Sequence, residues 1–203
     1  MPEAGRVIAG TARGIRLAAP GPATRPLADR VKETLFAILE PELRGARFLD
    51  LFAGSGAAGI EALSRGATAA VFVDKDATAC RVIEENLRRS RLDGGSVARA
   101  DVLRWLAGSA PAAGPFDIVV ADPPYADTDV LRRTLDLLGE PGHALLAPGA
   151  RVVAKHFWRE VPPAQVGLLA SERERRFGET ALTFYRAGTT DTRHRPGTDE
   201  EDE

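Results

Sequence analysis

Asp122, Pro123, Pro124 and Tyr125 are consecutive and follow the apolar run FDIVVA at 116–121. These residues suit chemistry at an aromatic amine. Such a nitrogen is a poor nucleophile because its lone pair is delocalised into the ring. A site that alkylates it needs two acceptors, one for each N–H, that favour a pyramidal nitrogen. The Asp122 carboxylate can be one and the backbone carbonyl of Pro123 the other. The two prolines stiffen the turn and remove backbone donors that would compete. Tyr125 offers a ring on which a base can stack, worth about 1–3 kcal/mol in such sites. A turn with an aromatic plug would look the same locally, so the motif needs company.

The company is a glycine loop and three acids. GSGAAG at 54–59 follows the apolar run RFLDLF, which contains Asp50. Asp74 ends the run AAVFVD, 20 residues after Gly54, and Asp101 ends SVARAD. In open α/β sheets ligands sit outside the carboxyl ends of the strands, and every one of these residues is expected there. The candidate cofactor residues are Asp50, the loop Phe52, Ala53, Gly54, Ser55 and Gly56, then Asp74 with Lys75, and Asp101 with Val102. Asp74 suits ribose hydroxyls, and Asp101 suits an adenine amino group with the Val102 N–H facing a ring nitrogen. The loop also fits the dinucleotide pattern G-x-G-x-x-G, which is weak alone. A pyrophosphate needs the helix N-terminus left open for negative charge. Asp50 beside the loop suits a cationic ligand better, one with an ammonium and a sulfonium, such as S-adenosylmethionine.

The elements that must position these residues alternate. Strands are expected at 47–52, 69–74, 96–101, 116–122 and 150–156, with helices from Ala57 to Arg65, after Asp76, after Asp101 and over Val130–Leu138. Gly66 closes the first of these helices and Asp76 caps the second. Such alternation predicts a doubly wound, mostly parallel α/β sheet. The runs at 166–171 and 181–186 have no helix pattern between them, which predicts an antiparallel hairpin at the sheet edge. Ahead of the sheet, 6–10 and 14–18 read as a small hairpin, and Leu27–Leu39 as a helix with Val31, Leu35, Ile38 and Leu39 inward. Cys80 falls on the apolar face of the helix after Asp76, a core position. Glu61 and Asp76 read as surface charge and helix capping.

The 203 residues carry a net charge of −2, but unevenly. From Ala187 to the end, six acids face two arginines, and this stretch lacks apolar residues to bury, so it is expected to be disordered. The first 32 residues hold six cations against two acids. A basic front end suits a phosphate-bearing partner, with Arg6, Arg13, Arg25, Arg30 and Lys32 as the candidate phosphate contacts, or it is a solvated basic face. No apolar run approaches the roughly 20 residues of a membrane span, and no apolar segment at the start reads as a signal peptide. One cysteine and three histidines show no metal-ligand spacing, so no metal is expected.

Taken together, RVIAGTARGIRL (6–17), TRPLADRVKETLF (24–36), LDLFAGSGAAGIEALSRGA (49–67) and ADPPY (121–125) resemble the RsmD-like methyltransferases, bacterial enzymes that modify a guanine N2 in small-subunit ribosomal RNA. TRPLADRVKETLF is the most particular of these segments. The resemblance implies a seven-stranded class I methyltransferase fold with a reversed last strand. It implies S-adenosylmethionine as donor and ribosomal RNA as partner, with the assembling small subunit as a substrate form; the single cysteine fits a reducing, cytoplasmic setting, and a monomer is favoured. It further implies a hairpin-plus-helix extension over 1–40 that contacts RNA and a methyltransferase domain over 41–187, and the acidic tail over 188–203 lies outside it. The family usually places an acid after the fifth strand, where this sequence has Lys155. A DNA adenine or cytosine amino-methyltransferase would use the same site chemistry, although the chain has little room for a DNA-reading part. A nicotinamide-dependent dehydrogenase and a non-catalytic RNA-binding module are the remaining alternatives.

Overall fold

The computed structural model describes residues 3–21, 29–108, 113–124, 128–142 and 144–188. Tyr125, Arg25 and the tail beyond 188 therefore lie outside the described residues. A two-stranded antiparallel hairpin, β1 (Glu3–Arg6) and β2 (Arg16–Ala18), leads into α1 (Asp29–Leu43). The chain then alternates: β3 (Arg47–Leu51), α2 (Ala57–Ser64), β4 (Ala69–Asp74), α3 (Ala77–Ser90), β5 (Gly95–Arg99), α4 (Val102–Gly108), β6 (Phe116–Ala121), α5 (Thr128–Leu138) and β7 (Leu146–Phe157). It closes with β8 (Gln165–Val166), β9 (Leu169–Phe177) and β10 (Thr180–Ala187).

The sheet order is β5-β4-β3-β6-β7-β10-β9-β8. β3 to β7 run parallel, and β10 lies antiparallel between β7 and β9. This is the expected doubly wound sheet with a reversed last strand. The count differs by one, because the two-residue β8 adds an eighth strand against the start of β9. The first strand of the expected hairpin also runs further than the apolar pattern suggested. β9 continues through Ser171–Arg176, where its residues are exposed. Edge pairing with β10 holds this polar stretch extended, so periodicity could not have marked its end.

Successive side chains of a strand point to opposite faces, and each face has its own core. Phe48, Phe72, Ile118, Val120 and Val153 pack with α1, α2, α3 and the hairpin. Leu49, Leu51, Val71, Val73, Val119 and Val152 pack with α4 and α5. Ala4, Val7 and Leu17 of the N-terminal segment are buried in the first of these cores, so the segment is packed onto the sheet. Among the described residues no helix is long and apolar enough to cross a membrane.

Candidate active site

Strand register brings the acids together. Asp50 of β3 pairs with Phe72 of β4 and Val120 of β6. Asp74 lies two residues beyond Phe72, and Asp122 two residues beyond Val120, so all three carboxylates project from one sheet face at its carboxyl edge. Ala121 pairs with Ala154 of β7, which puts Lys155 beside Asp122 on that same face. Its Nζ lies 2.5 Å from Asp122 Oδ1.

The glycine loop is tied to these acids through the backbone. Phe52, Gly54 and Gly56 have φ of 60°, 56° and 74°, a succession of left-handed residues that folds the chain tightly from β3 into α2. At Gly56, the residue before α2, a Cβ would sit 3.1 Å from Ile83 and 3.2 Å from Phe72, so glycine is required on two counts. The Gly54 N–H donates to Asp74 Oδ2 at 2.9 Å, and the Asp76 N–H donates to Asp74 Oδ1 at 2.9 Å. The Ala53 N–H donates to the Val73 carbonyl at 3.2 Å, and the buried Ser55 offers its carbonyl to the Asn86 amide at 2.9 Å. Asp50 is buried and accepts from the Gly59 N–H at 2.9 Å. Burial pushes its carboxyl up to about 8, and the neighbouring Asp122 and Asp74 charges add to that rise against the Gly59 hydrogen bond. Three acids on one face, two of which raise the third, form a site short of positive charge. That favours a cationic ligand and disfavours a pyrophosphate. The set of acceptors fits S-adenosylmethionine, whose hydroxyl and amino groups Asp74 and Asp101 would be placed to accept from.

Asp101 is exposed at the start of α4, where Oδ1 accepts from the Arg104 N–H at 3.1 Å. Val102 begins that helix and is buried, while Lys75 is exposed beside Asp74. The Asp122 N–H donates to the Leu51 carbonyl at 3.3 Å, which extends the β3–β6 pairing into the Asp-Pro-Pro turn. Burial pushes the Asp122 carboxyl up, and the Lys155 ammonium offsets only part of that rise. Beyond it Pro123, Pro124, Lys155, Leu131 of α5 and Phe157 line a cleft of about 190 Å³. Pro123, Pro124 and Lys155, the neighbours of Asp122, thus link the acid cluster and glycine loop to this cleft.

Residues 5–186 match the family model described as "Conserved hypothetical protein 95". The chain belongs to this family. It is 38% identical over 183 residues to the Bacillus subtilis protein named "Putative rRNA methyltransferase YlbH", covering 89% of this chain and 98% of that one. It is 34% identical over 181 residues to Ribosomal RNA small subunit methyltransferase D of Escherichia coli, covering 89% and 88%. A solved structure titled "Putative methyltransferase yhhF from Escherichia coli" superposes with a TM-score of 0.80 at 33% identity, over 90% of this chain and 97% of that one. The resemblance read from the sequence motifs is thereby borne out, and so is the fold it implied.

The family match takes in the N-terminal segment, where the structure corrects two expectations. Lys32 is not available to RNA phosphates. Its side chain is 1% exposed, its Nζ donates to the Arg6 carbonyl, and it lies 3.5 Å from Glu61 Oε2. Burial pulls the Lys32 ammonium down, against the pull of Glu61 and Asp29. Glu61, read as surface charge, is fully buried on α2. It accepts from the Ile8 N–H at 2.8 Å and the Ala9 N–H at 2.9 Å, and Arg65 Nε lies 2.9 Å from Oε1. A Lys32–Glu61–Arg65 joint therefore clamps the hairpin onto α1 and α2. Arg6, Arg13 and Arg30 are exposed, with Asp29 3.8 Å from Arg6. Lys155 is the residue of the site whose role the motifs missed. The signal was available, since counting strand alternation forward from the paired runs FDIVVA and ARVVAKH places it beside Asp122.

Proposed function

We propose that this chain methylates the exocyclic N2 amino group of a guanine in small-subunit (16S) ribosomal RNA, with S-adenosylmethionine as donor and no metal. The observation that carries this reading is the position of Asp122-Pro123-Pro124, next to the glycine loop and within the cluster of Asp50 and Asp74. Bound there, S-adenosylmethionine supplies an electrophilic methyl on a sulfonium. Gly54 and Gly56 let the backbone approach it closely, Asp74 and Asp101 accept from its polar groups, and Asp50 offsets its positive charge. Asp122 accepts one amino N–H and the Pro123 carbonyl the other, which leaves the lone pair directed at the methyl. Tyr125 provides the stacking surface. Much of the rate then comes from positioning, with the target base extruded from its RNA context. Arg6, Arg13, Arg25 and Arg30 carry the phosphate contacts, in an assembling small subunit in the cytoplasm.

The relatives named rRNA methyltransferases support the RNA target, and the acid cluster supports the cationic donor. The test is tritiated methyl transfer from S-adenosylmethionine to ribosomal RNA and small-subunit particles from a strain lacking the activity, followed by nucleoside analysis. N2-methylguanosine is the expected product. Label on adenine or cytosine, or on DNA alone, would overturn the assignment.

A further inference from the structure

Asp122 presents a problem that the proposed function leaves open. A carboxylate that accepts an amino N–H must be ionised, yet Asp122 sits at a buried edge with Asp50 and Asp74 projecting from the same face. Burial favours its protonated form, and a protonated carboxyl would present a donor to a donor. The contact that answers this is Lys155 Nζ, 2.5 Å from Oδ1, with the Lys155 side chain only 12% exposed. Oδ2 has no partner among the described residues.

We propose that Lys155 is a positioning residue for methyl transfer: its ammonium, fixed against Asp122 Oδ1, keeps that carboxylate an acceptor and leaves Oδ2 for the amino group. The inference rests on the proposed amino-methyltransferase reading. The geometry is built into the sheet. Asp122 and Lys155 directly follow the paired Ala121 and Ala154, so the register of β6 and β7 holds their backbones side by side. On the other side of β7, Lys155 pairs with Leu182 of β10, which brings no competing charge. Among the described residues the other charged groups around the pair are Asp50 on β3, Asp74 on β4, Arg132 on α5 and Glu160 after β7, the last two lining the same cleft as Lys155. Arg175 of β9 lies one strand further out, opposite Leu182. His156, next along β7, also lines this cleft, with its ring nitrogens 2.8 Å from Thr183 Oγ1 and 2.9 Å from the Phe157 carbonyl. Among the described residues Lys155 is thus the cation in direct contact with Asp122.

The test separates charge from shape. Lys155→Gln keeps an N–H donor near Oδ1 but removes the charge, and Lys155→Arg keeps the charge. In the full chain, the Asp122 carboxyl carbon is followed by carbon NMR titration and assigned by its loss in Asp122→Asn. The Gln variant should raise its midpoint by about one pH unit or more, the size expected for removing an opposite charge at this range. The acid limb of kcat should move up by the same amount, with activity recovering at higher pH. The Arg variant should stay near wild type in both. An unchanged midpoint in a folded Gln variant would overturn the proposal, as would a kcat loss equal at every pH. If the wild-type chain methylates no RNA, the functional reading fails, and the titration still decides whether Lys155 sets the ionisation of Asp122.

Discussion

Replacing Asp122 by Asn preserves size and removes one negative charge, and the neighbouring ammonium determines how the amide lies. Lys155 can only donate, so the Asn carbonyl oxygen turns to Nζ, in place of Oδ1. The amide NH2 then occupies the position of Oδ2 and meets the substrate amino group donor to donor. The variant therefore loses an acceptor, gains a repulsion and loses the charge that offsets the positive charge developing on nitrogen. Removing one preorganised electrostatic group costs roughly 10²–10³ in kcat, about 2.7–4 kcal/mol, and the misplaced donor puts the expected loss at or above the lower bound. The loss belongs to kcat, because the contact strengthens as charge develops. S-adenosylmethionine binding should not weaken. Asp122 is one of the charges that raise the Asp50 carboxyl, so its removal makes Asp50 easier to ionise for a cationic ligand. Single-turnover methyl transfer and calorimetry with S-adenosylmethionine measure the two quantities separately. A folded Asp122→Asn chain with turnover within about threefold of wild type would refute this reasoning and leave Asp122 as a turn residue.

Further outcomes follow from the same geometry. Asp74→Ala should weaken S-adenosylmethionine binding by about 1.5–3 kcal/mol in calorimetry, and it should also lower the melting temperature, because the Gly54 and Asp76 N–H groups lose their acceptor. Asp50 holds its proton up to about pH 8 in the folded chain and releases it near pH 4 when unfolded. The folded state therefore binds the extra proton between those values, and this group's contribution to stability falls as pH rises, by at most roughly 1.4 kcal/mol per pH unit. Affinity for the cationic cofactor should rise with pH up to about 8 and then level off, and Asp50→Asn should flatten both trends. Neutralising Arg13 and Arg30 should reduce the salt slope of RNA binding by about one for each phosphate that they neutralise; an unchanged slope would show those arginines to be solvated surface.

Much of the site was legible because its logic is periodic. FDIVVAD, RFLDLF and AAVFVD are short apolar runs that each carry an acid at or near their end, and a parallel sheet gathers such ends at one edge without any further information. Asp76 was legible for a local reason, since a helix start needs an acceptor and Asp76 Oδ1 takes the Thr78 N–H at 2.7 Å. Glu61 and Lys32 were not legible, because nothing within α1 or α2 distinguishes a charge that faces water from one that faces another segment. Their partners, Ile8, Ala9 and Arg6, lie at least 26 residues away in sequence.

The buried joint makes the last prediction, and it separates the two roles that the basic front end was expected to combine. Lys32→Met has nearly the same volume and removes a charge that the RNA reading counted and the fold uses. If Lys32 touched phosphate, the variant would lose RNA affinity and salt slope while its melting temperature held. Because Lys32 is enclosed beside Glu61, the loss should fall on the fold instead. Glu61 keeps its two backbone donors and Arg65, but one buried cation of its set is gone and the Arg6 carbonyl loses its donor. Breaking a buried pair from one side costs about 3–5 kcal/mol. Arg65 offsets part of that, so about 2–3 kcal/mol is expected, roughly 4–12 °C for a chain of this size. Thermal unfolding reads the first number and RNA titration at several salt concentrations the second. A Lys32→Met chain that melts with wild type and binds RNA with a flatter salt slope would return Lys32 to the RNA surface and remove the clamp on the hairpin.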